Sequence, residues 1–319
     1  MRAVKQAFRI SGLAVLAAIA VSPALAQDRL KVAIGQRGAF ENSVSELGQD
    51  IGIFKKHNLV LETLYTQGSG ESQQAVISGS VDIGIGIGTV SALAAFQKGA
   101  PIRAIGATMK GSYEVWYVPT NSPIKTFKDA AGKSVGFSTR GSSTNLLVMG
   151  LEKVYGVKVD AIPTGSPPAT FTQVMSGQIA VGWTVVPLQL DAILDGRIRI
   201  LARGSEVPEM REQTVRVIAV NAGALEKNRD AFRRYMEGYR ETLAWLYESP
   251  DSMKVYAKWA QTTEEIARRT RDDFIPRASA DPDTISGIDQ AMVDGMAFKY
   301  LSEPLKKEQL DQFFQLMKK

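Results

Sequence analysis

Two nine-residue segments of this chain are related copies of each other, at a constant offset of 98 residues (174 minus 76). They are 76–84 (VISGSVDIG) and 174–182 (VMSGQIAVG), and they share the first valine, the Ser-Gly pair and the last glycine. Thr66 and Thr164 lie at the same offset. A repeat of this length corresponds to a supersecondary unit rather than to one turn of a solenoid. We therefore expect two similar α/β lobes that face each other across a cleft.

The N-terminus has the composition of an export signal. Three basic residues precede an apolar run at 10–21, and Ala24-Leu25-Ala26 supplies the small side chains that a signal peptidase needs before Gln27. The apolar run is shorter than a membrane-spanning helix, which makes a retained anchor the weaker alternative. No cysteine follows it, so a lipid anchor is chemically excluded. Residues 1–26 are thus predicted to be a cleaved signal peptide, and the mature protein is predicted to diffuse freely in a Gram-negative periplasm.

Charge and cysteine content exclude several classes of function. The chain has 38 Lys and Arg against 33 Asp and Glu, and removal of Arg2, Lys5 and Arg9 with the signal leaves 35 against 33, or +2. A mature protein so close to neutral gives no indication of nucleic-acid binding. The chain contains no cysteine, which excludes disulfides, thiol catalysis and sulfur-ligated metals.

Short apolar runs alternate with helical patterns along the mature chain, which is typical of parallel sheets covered by helices. The predicted strands are 30–34, 60–64, 81–85, 103–107, 113–118, 134–137, 157–162, 179–183, 198–201 and 214–220. The fold class is therefore α/β with two lobes, each a mostly parallel sheet with flanking helices. An amphipathic helix over 230–248 is predicted to pack on the first lobe.

The last predicted strand returns the chain to the first lobe. Residues 27–115 with 218–319 are then assigned to lobe 1, and 116–217 to lobe 2. Two extended crossings, near Val115-Trp116 and Val215–Val217, would act as hinges, because lobes joined in this way rotate with few contacts to break.

Ligands of open α/β sheets lie beyond the carboxyl ends of strands, so the loops after the predicted strands are the candidate site. Two of these loops also repeat, since Arg37-Gly38 with Asn42 resembles Arg140-Gly141 with Asn145. The candidate ligand-binding residues are Arg37, Gly38, Phe40, Ser69, Gly70, Thr89, Trp116, Arg140, Gly141, Ser142, Ser143 and Trp183.

Among these loops, the segment 138–145 has the clearest pattern of an anion-binding loop. A strand ending at Phe137 is followed by Gly141-Ser142-Ser143 and then by an apolar periodic helix, which directs free N–H groups and hydroxyls at one point and favours an anion. Arg140 adds a guanidinium suited to carboxylate or sulfonate oxygens. The alternatives stay open: the serines are also good N-caps, and a loop arginine is usually solvated. Trp116 and Trp183 either cover a ligand at the cleft edge or pack between the lobes.

Several motifs together resemble one family of proteins, the solute-binding proteins of ABC importers for sulfonates, taurine and nitrate. The motifs are Gly68-Ser69-Gly70, Ser78-Gly79-x-x-Asp82, Ser122-Pro123-Ile124-Lys125, Asp129-x-x-Gly132-Lys133-x-Val135-Gly136 and Gly141-Ser142-Ser143. The resemblance covers nearly the whole mature chain. It implies a type II periplasmic-binding-protein fold that closes on a small anion and docks on an inner-membrane ABC permease, as a monomer. One departure is Ala180, where the family commonly has an aspartate.

Two other classes of function use the same fold. Some relatives make the thiamine pyrimidine, a chemistry expected to need histidine and metal. The single histidine, His57, lies in a Lys55-Lys56-His57-Asn58 run that reads as a solvated turn, and no His/Cys cluster has metal-ligand spacing. We therefore predict a binding protein rather than an enzyme, with no cofactor and no metal. A receptor that presents its ligand to a membrane sensor is the third class, which the fold alone does not distinguish.

Overall fold

A computed structural model describes residues 27–317, and the predicted signal peptide, 1–26, lies outside these residues. The described strands are β1 (Asp28–Gly35), β2 (Leu59–Thr66), β3 (Ile83–Gly88), β4 (Ile102–Lys110), β5 (Glu114–Pro119), β6 (Ser134–Phe137), β7 (Asp160–Pro163), β8 (Gly182–Val185), β9 (Ile198–Arg203) and β10 (Thr214–Asn221). The described α-helices are α1 (Val44–Asp50), α2 (Ile53–Lys56), α3 (Ser69–Ile77), α4 (Thr89–Gln97), α5 (Ser143–Tyr155), α6 (Pro167–Met175), α7 (Leu190–Leu194), α8 (Ala222–Lys227), α9 (Arg229–Glu248), α10 (Ser252–Ala260), α11 (Glu264–Arg269), α12 (Ile288–Ala297) and α13 (Lys307–Phe313). Each of the ten strands predicted from the sequence overlaps one of these strands.

The first sheet has five strands in the order β2-β1-β3-β10-β4. Strand β1 is parallel to both β2 and β3, whereas β10 is antiparallel to β3 and to β4. Four of the five strands therefore run in one direction, and the exception is the strand that returns from the second half of the chain.

The second set of strands repeats this arrangement. Strands β6 and β7 are parallel, a parallel bridge joins Val135 to Val181 just before β8, and β5 is antiparallel to both β8 and β9. The resulting order, β7-β6-β8-β5-β9, matches that of the first sheet, again with one reversed strand that arrives from the other half. The two-lobed α/β class predicted from the repeat is confirmed.

The repeat extends to individual hydrogen bonds. Thr66 Oγ1 lies 2.7 Å from Ser72 Oγ, and at the same offset Thr164 Oγ1 lies 2.6 Å from Thr170 Oγ1. Each pair ties the end of a strand to the helix that follows it. The helices α3 and α6 both end at a Ser-Gly pair whose glycine has a positive φ, 73° at Gly79 and 75° at Gly177. Glycine adopts this left-handed conformation without the penalty that a Cβ would add, which explains why both copies keep it.

Separate hydrophobic clusters support the two sheets. Helix α9 presents Phe232, Tyr235, Met236 and Tyr239 to the first sheet, where they pack with residues of β1, β2 and α1. This confirms the amphipathic helix predicted over 230–248. A second cluster, centred on Trp116, Phe137 and Leu147, lies between the second sheet and α5. Among residues 27–317, none of the helices is long and apolar enough to cross a membrane.

The chain passes between the sheets at residues 111–113 and again at 204–213. The sequence predicts crossings near 115–116 and 215–217, but those residues lie inside β5 and β10, where they pair with neighbouring strands. Both crossings are therefore a few residues earlier in the chain. The predicted lobe bounds stay a prediction.

Candidate functional site

Loops that follow strands of the two sheets contact each other directly. Gly70 N–H donates to Thr139 Oγ1 at 3.2 Å, and Gln36 Nε2 lies 3.4 Å from Ser138 Oγ. A Cβ added at Gly88 would lie 3.2 Å from the carbonyl oxygen of Gly141. The loops that the sequence predicts to hold a ligand therefore face each other, and we call this layer of contacts the loop junction.

The loop junction is closed in this structure. A partly open cavity of about 10 Å³ lies between Thr89, Ser143 and Gln213. This is about the smallest space that holds a single water molecule. A solute larger than a water molecule does not fit at this position while the two sets of loops are in contact.

On the first-lobe wall, hydroxyl groups brace the ends of the strands. Ser69 Oγ accepts a hydrogen bond from Gly88 N–H at 3.0 Å, and Thr89 Oγ1 donates to the carbonyl of Thr214 at 2.5 Å. Both side chains are buried. The first bond holds the start of α3 beside the start of α4, and the second ties the start of α4 to β10.

On the second-lobe wall, Ser142 is the N-cap of α5, because its Oγ accepts from Asn145 N–H at 3.2 Å. Gly141 N–H donates to Asn145 Oδ1 at 3.1 Å and to Tyr300 Oη at 3.0 Å. The capping role that the sequence left open for Ser142 is thus present. In the closed junction, protein acceptors take the N–H of Gly141 that was expected to meet an anion.

The two loop arginines lie on the rim. Arg37 and Arg140 are both exposed, and the guanidinium of Arg37 lies 4.8 Å from the centre of the Tyr65 ring. Gly38 is buried, and its carbonyl accepts from Tyr256 Oη at 2.8 Å. A Cβ at Gly38 would lie 3.0 Å from Leu188 Cδ2, so its backbone approaches the opposite wall closely.

Three aromatic candidates are core residues, which corrects the expectation that they contact a ligand. Phe40 is 1% exposed and packs edge-on against Tyr256 at 5.1 Å. Trp116 and Trp183 are opposite each other on β5 and β8, and neither has any exposed surface. Their Nε1 groups donate to the Gly136 carbonyl and to Thr164 Oγ1, each at 3.0 Å. With the indoles buried and their N–H groups satisfied, these residues stabilise lobe 2 from within.

A buried charge cluster lies beneath the loop junction, formed by Glu41, Glu114 and Arg216. Arg216 Nη1 donates to Glu114 Oε1 and, at 3.2 Å, to Ser143 Oγ. Arg216 Nε lies 2.9 Å from Glu41 Oε1. The three charged residues are 1–5% exposed, and Asn42 lies beside them. The cluster joins four elements from distant parts of the chain, namely the loop after β1, the start of β5, the start of α5, and β10.

Several polar atoms of this region have no partner among the described residues. They are Glu41 Oε2, Asn42 Oδ1, Tyr113 Oη, and Nε and Nη2 of Arg216. The ion pair between Arg216 and Glu41 is close but is not aligned as a hydrogen bond. A buried polar atom without a partner costs roughly 1–3 kcal/mol, so a group of them at one place is unusual in a purely structural network.

Burial shifts the acid–base behaviour of the cluster. Desolvation raises the pKa of Glu41 from 4.5 to about 7, against the lowering effect of Arg216 and with a further increase from Glu114. The pKa of Arg216 is lowered by burial, but Glu114 and Glu41 outweigh this and raise it above its usual value. The guanidinium therefore stays charged, while Glu41 changes its protonation near neutral pH.

The chain matches one known protein family over most of its length. The family described as NMT1/THI5 like matches residues 47–253, which is more than half of the chain. The chain belongs to the NMT1/THI5-like family. The matched region includes the second wall of the loop junction and the part of the first wall at Ser69-Gly70 and Gly88-Thr89, together with Glu114 and Arg216.

Relatives of this family member are named for small solutes. A protein of Escherichia coli (strain K12) named for binding aliphatic sulfonates is 33% identical over 137 residues, which are 42% of each chain. The chain thus spans less than half the length of this curated relative. The alkanesulfonate-binding protein SsuA from Xanthomonas axonopodis pv. citri, bound to MOPS, aligns with a TM-score of 0.71 and 20% identity over 85% of this chain and 90% of its own. The periplasmic nitrate-binding protein NrtA from Synechocystis PCC 6803 aligns with a TM-score of 0.72 and 12% identity over 90% and 86%. At these identities the two structures establish the fold.

The sequence reasoning missed the charge cluster in this family member. Arg216 interrupts the apolar strand TVRVIAVN, and Glu114 opens the strand EVWYVP. A charged residue within a strand that is otherwise buried was the available signal, because buried Arg and Glu are almost always paired. Glu41 gave no such signal, since it lies in a loop where an exposed carboxylate is expected.

Proposed function

We propose that this protein is the solute-binding component of an ABC importer. It captures a small organic or inorganic anion, namely a sulfonate, nitrate or a carboxylate, in the cleft between its lobes. It then delivers the anion to an ABC permease in the inner membrane. The observation that carries this proposal is the loop junction, where strand-end loops from both sheets meet as close as Gly70 and Thr139.

The proposed mechanism is ligand-driven closure. The loops around Ser69-Gly70 and Ser142-Ser143 grip opposite sides of the solute when the lobes turn about the crossings. The ligand shifts an existing equilibrium toward the closed form, and the permease recognises that form. The direct contacts of the closed junction support this, because the two walls already fit against each other at Gly70 and Thr139.

The proposed ligand contacts come from both walls. They are Gly38, Ser69, Gly70, Thr89, Gly141, Ser142 and Ser143, with Arg37 and Arg140 on the rim. Phe40, Trp116 and Trp183 are not included, because they are buried in the cores. The lobes correspond to the bounds predicted from the sequence, with each crossing moved a few residues earlier.

The names of the relatives support the ligand class. One is named for aliphatic sulfonates, one binds an alkanesulfonate, and one binds nitrate in the periplasm. We extend this to the compartment and propose that the mature protein begins at Gln27, within a residue or two, in the periplasm. Intact-mass measurement of protein from a periplasmic extract tests this, and soluble native protein that retains Met1 would contradict it.

A thermal-shift screen tests the function. Mature protein is heated with sulfonates, nitrate, and aliphatic and aromatic carboxylates, and the unfolding temperature is recorded. A ligand present at about 100 times its Kd stabilises the folded protein by about 2.7 kcal/mol, which gives a clear rise. Small-angle scattering then shows whether the same ligand makes the protein more compact. Recovery of each hit by mass spectrometry separates binding from catalysis, since an enzyme returns a changed molecule. Failure of every anion to raise the unfolding temperature would contradict the proposal.

A further inference from the structure

The residues that follow helix α12 contact the second-lobe wall of the loop junction. The Tyr300 hydroxyl accepts a hydrogen bond from Gly141 N–H at 3.0 Å and donates one to Asn145 Oδ1. A Cβ at Gly141 would lie 3.3 Å from Tyr300 Cε1 and 3.3 Å from Ser91 Oγ on α4. The loop before α5 is therefore in close contact with α4 and with the end of α12.

Helix α12 is attached to the side of the molecule that carries the first sheet. Met292 and Leu301 lie in one hydrophobic cluster with Ala92 and Leu93 of α4. The ring of Tyr300 packs against this cluster and also against the cluster that lies between the second sheet and α5. Tyr300 is thus a bridge between the two halves of the molecule.

The second crossing holds α12 in place. Gln213, the last residue of this crossing, donates through Nε2 to Asp294 Oδ2 at 2.8 Å, and both side chains are buried. Thr214 N–H donates to the Ser286 carbonyl at 2.9 Å, and Ser286 N–H donates to Thr214 Oγ1 at 3.0 Å. Because α12 is fixed at the crossing and on α4, turning the second lobe outward would separate the loop before α5 from Tyr300.

The Tyr300 hydroxyl is well suited to take the place of an anion oxygen. Burial raises the pKa of Tyr300 above its usual value, so the hydroxyl is neutral at pH 7 and can accept one hydrogen bond while it donates another. Lys299 has a left-handed φ of 62°, and the N–H groups of Tyr300 and Leu301 both donate to the Gly295 carbonyl, at 2.7 and 3.0 Å. A residue with a Cβ adopts this conformation at a cost, and here the turn fixes the direction of Tyr300.

We propose that Tyr300 holds part of the solute-free protein closed, because its hydroxyl occupies the place at Gly141 N–H that the anionic group of a solute takes. This inference rests on the proposed function, and it adds a positioning residue that lies outside the strand-end loops. A solute enters the open form and then closes the lobes with its anionic group in place of the hydroxyl. Tyr300 therefore lowers the apparent affinity, since only the open share of the protein binds.

The distance between the lobes tests the holding contact without any solute. The chain contains no cysteine, so Ser80→Cys with Gln178→Cys gives two label sites, which are exposed and equivalent in the two copies of the repeat. Electron-spin-resonance distance measurements on spin labels at these sites report the open and closed populations. Tyr300→Phe removes the hydroxyl and keeps the ring, and it should raise the ratio of open to closed protein about fivefold, the effect of roughly one hydrogen bond.

Tyr247→Phe is the matched control. Tyr247 is half-buried like Tyr300, and its hydroxyl donates to the Ile275 carbonyl at 2.9 Å, within the C-terminal part of the chain. This variant should give the same distance distribution as the wild type. Circular dichroism confirms that both variants are folded. A distribution in Tyr300→Phe that matches the wild type and the control would overturn the proposal.

Affinity tests the displacement of Tyr300 by the solute. Calorimetry with propane-1-sulfonate and with nitrate is carried out on the wild type and on both variants. Tyr300→Phe should bind the anion about threefold more tightly, because a larger share of the protein is open to it. A residue that only stabilises the fold, or one that contacts the bound solute, would not give tighter binding when its hydroxyl is removed.

The remaining outcomes separate this inference from the proposed function. If Tyr300→Phe is more open but binds the anion more weakly, the hydroxyl contact persists in the solute-bound form, and its displacement is overturned. If neither anion binds to any of the proteins, the proposed function fails for these solutes, while a more open Tyr300→Phe still supports the holding contact.

Discussion

The loop junction and the charge cluster lie one above the other, but they are built from different kinds of sequence information. The junction consists of small residues at strand ends, and its two walls are copies related by the internal repeat. The cluster consists of three charges from segments more than 70 residues apart, Glu41, Glu114 and Arg216, and no repeat relates them. The comparison shows that a duplicated fold supplies two similar walls, while the chemistry at the base of the cleft is specific to each position.

The loop junction and the charge cluster also differ in how much free energy their contacts contribute to the folded protein. The hydrogen bonds at the junction, from Gly70 to Thr139, from Gln36 to Ser138 and from Gly141 to Tyr300, are 3.0–3.4 Å long and join groups that water can satisfy once the lobes open. Such contacts contribute little net free energy, about 0.5–1.5 kcal/mol each, which suits a surface that must open and close. The cluster holds buried charges that depend on one another, so changes there should affect the folded protein itself.

The largest effect is expected from Arg216→Met, which leaves two buried carboxylates without their partner. Breaking a buried ion pair in this way costs about 3–5 kcal/mol of unfolding free energy. Urea denaturation at pH 7.5 measures the loss, and it should be smaller at pH 5, where Glu41 is protonated. The control is Arg233→Met on α9, whose side chain is 50% exposed and whose ion pairs with Asp230 and Glu237 are exposed as well. The control should change stability by less than about 1 kcal/mol. A loss in Arg216→Met no larger than in the control would show that the cluster is energetically like the surface.

The second effect is the pH dependence that Glu41 gives to stability. Its pKa is about 7 in the folded protein against 4.5 in the reference state, so the folded state binds the proton more tightly. The stabilisation is complete below pH 4.5 and is lost as the pH rises to about 7, a change of about 3 kcal/mol. The difference in unfolding free energy between wild type and Glu41→Gln, measured by urea denaturation from pH 4.5 to 7.5, isolates this group from the other carboxylates. A difference that stays constant across this range would contradict the raised pKa.

The contrast between the two regions also explains what the sequence could predict. The ten strands, the two-lobed class and the facing loops follow from apolar alternation and from the repeat, because both depend on local pattern. The roles of Trp116 and Trp183 were misjudged because a tryptophan at a predicted strand end can face a cleft or a core, and only the pairing of β5 with β8 decides between them. The cluster needs the sheet order as well, since Glu114 and Arg216 meet only when each crossing strand enters the other half's sheet.

The third prediction concerns the junction. A Cβ at Gly70 would lie 2.9 Å from Thr139 Oγ1 in the closed form. Gly70→Val should therefore disfavour closure and weaken ligand binding about tenfold, or about 1.4 kcal/mol. Small-angle scattering should show a more open protein with little loss of stability, in contrast to the cluster variants.

Gly223→Val is the matched control, because it also lies in a helix, on the exposed surface of α8. It has a similar cost in helix propensity but is not at the junction. If Gly70→Val binds ligand as tightly as Gly223→Val, the two walls do not meet around the ligand as proposed.

The smallest effect is expected at the rim, with Arg140→Ala. A buried arginine that clamps an anion would contribute about 1.5–3 kcal/mol to binding, as expected for a hydrogen bond to a charged group. Arg140 is exposed, and water and salt screen its charge, so we expect a loss of less than about 1 kcal/mol. The loss should act mainly on the association rate, because a rim charge steers the anion toward the cleft, and it should vanish in 0.5 M salt. Arg140→Lys keeps the charge without the planar guanidinium and should bind like the wild type. Stopped-flow and calorimetric titrations at low and high salt measure the association rate and the affinity of the wild type and the two variants. The alternative is a loss above about 1.5 kcal/mol that persists in high salt and is not rescued by lysine. That result would place Arg140 in direct contact with the ligand, and the anion would then be held by a bidentate arginine as well as by the loops.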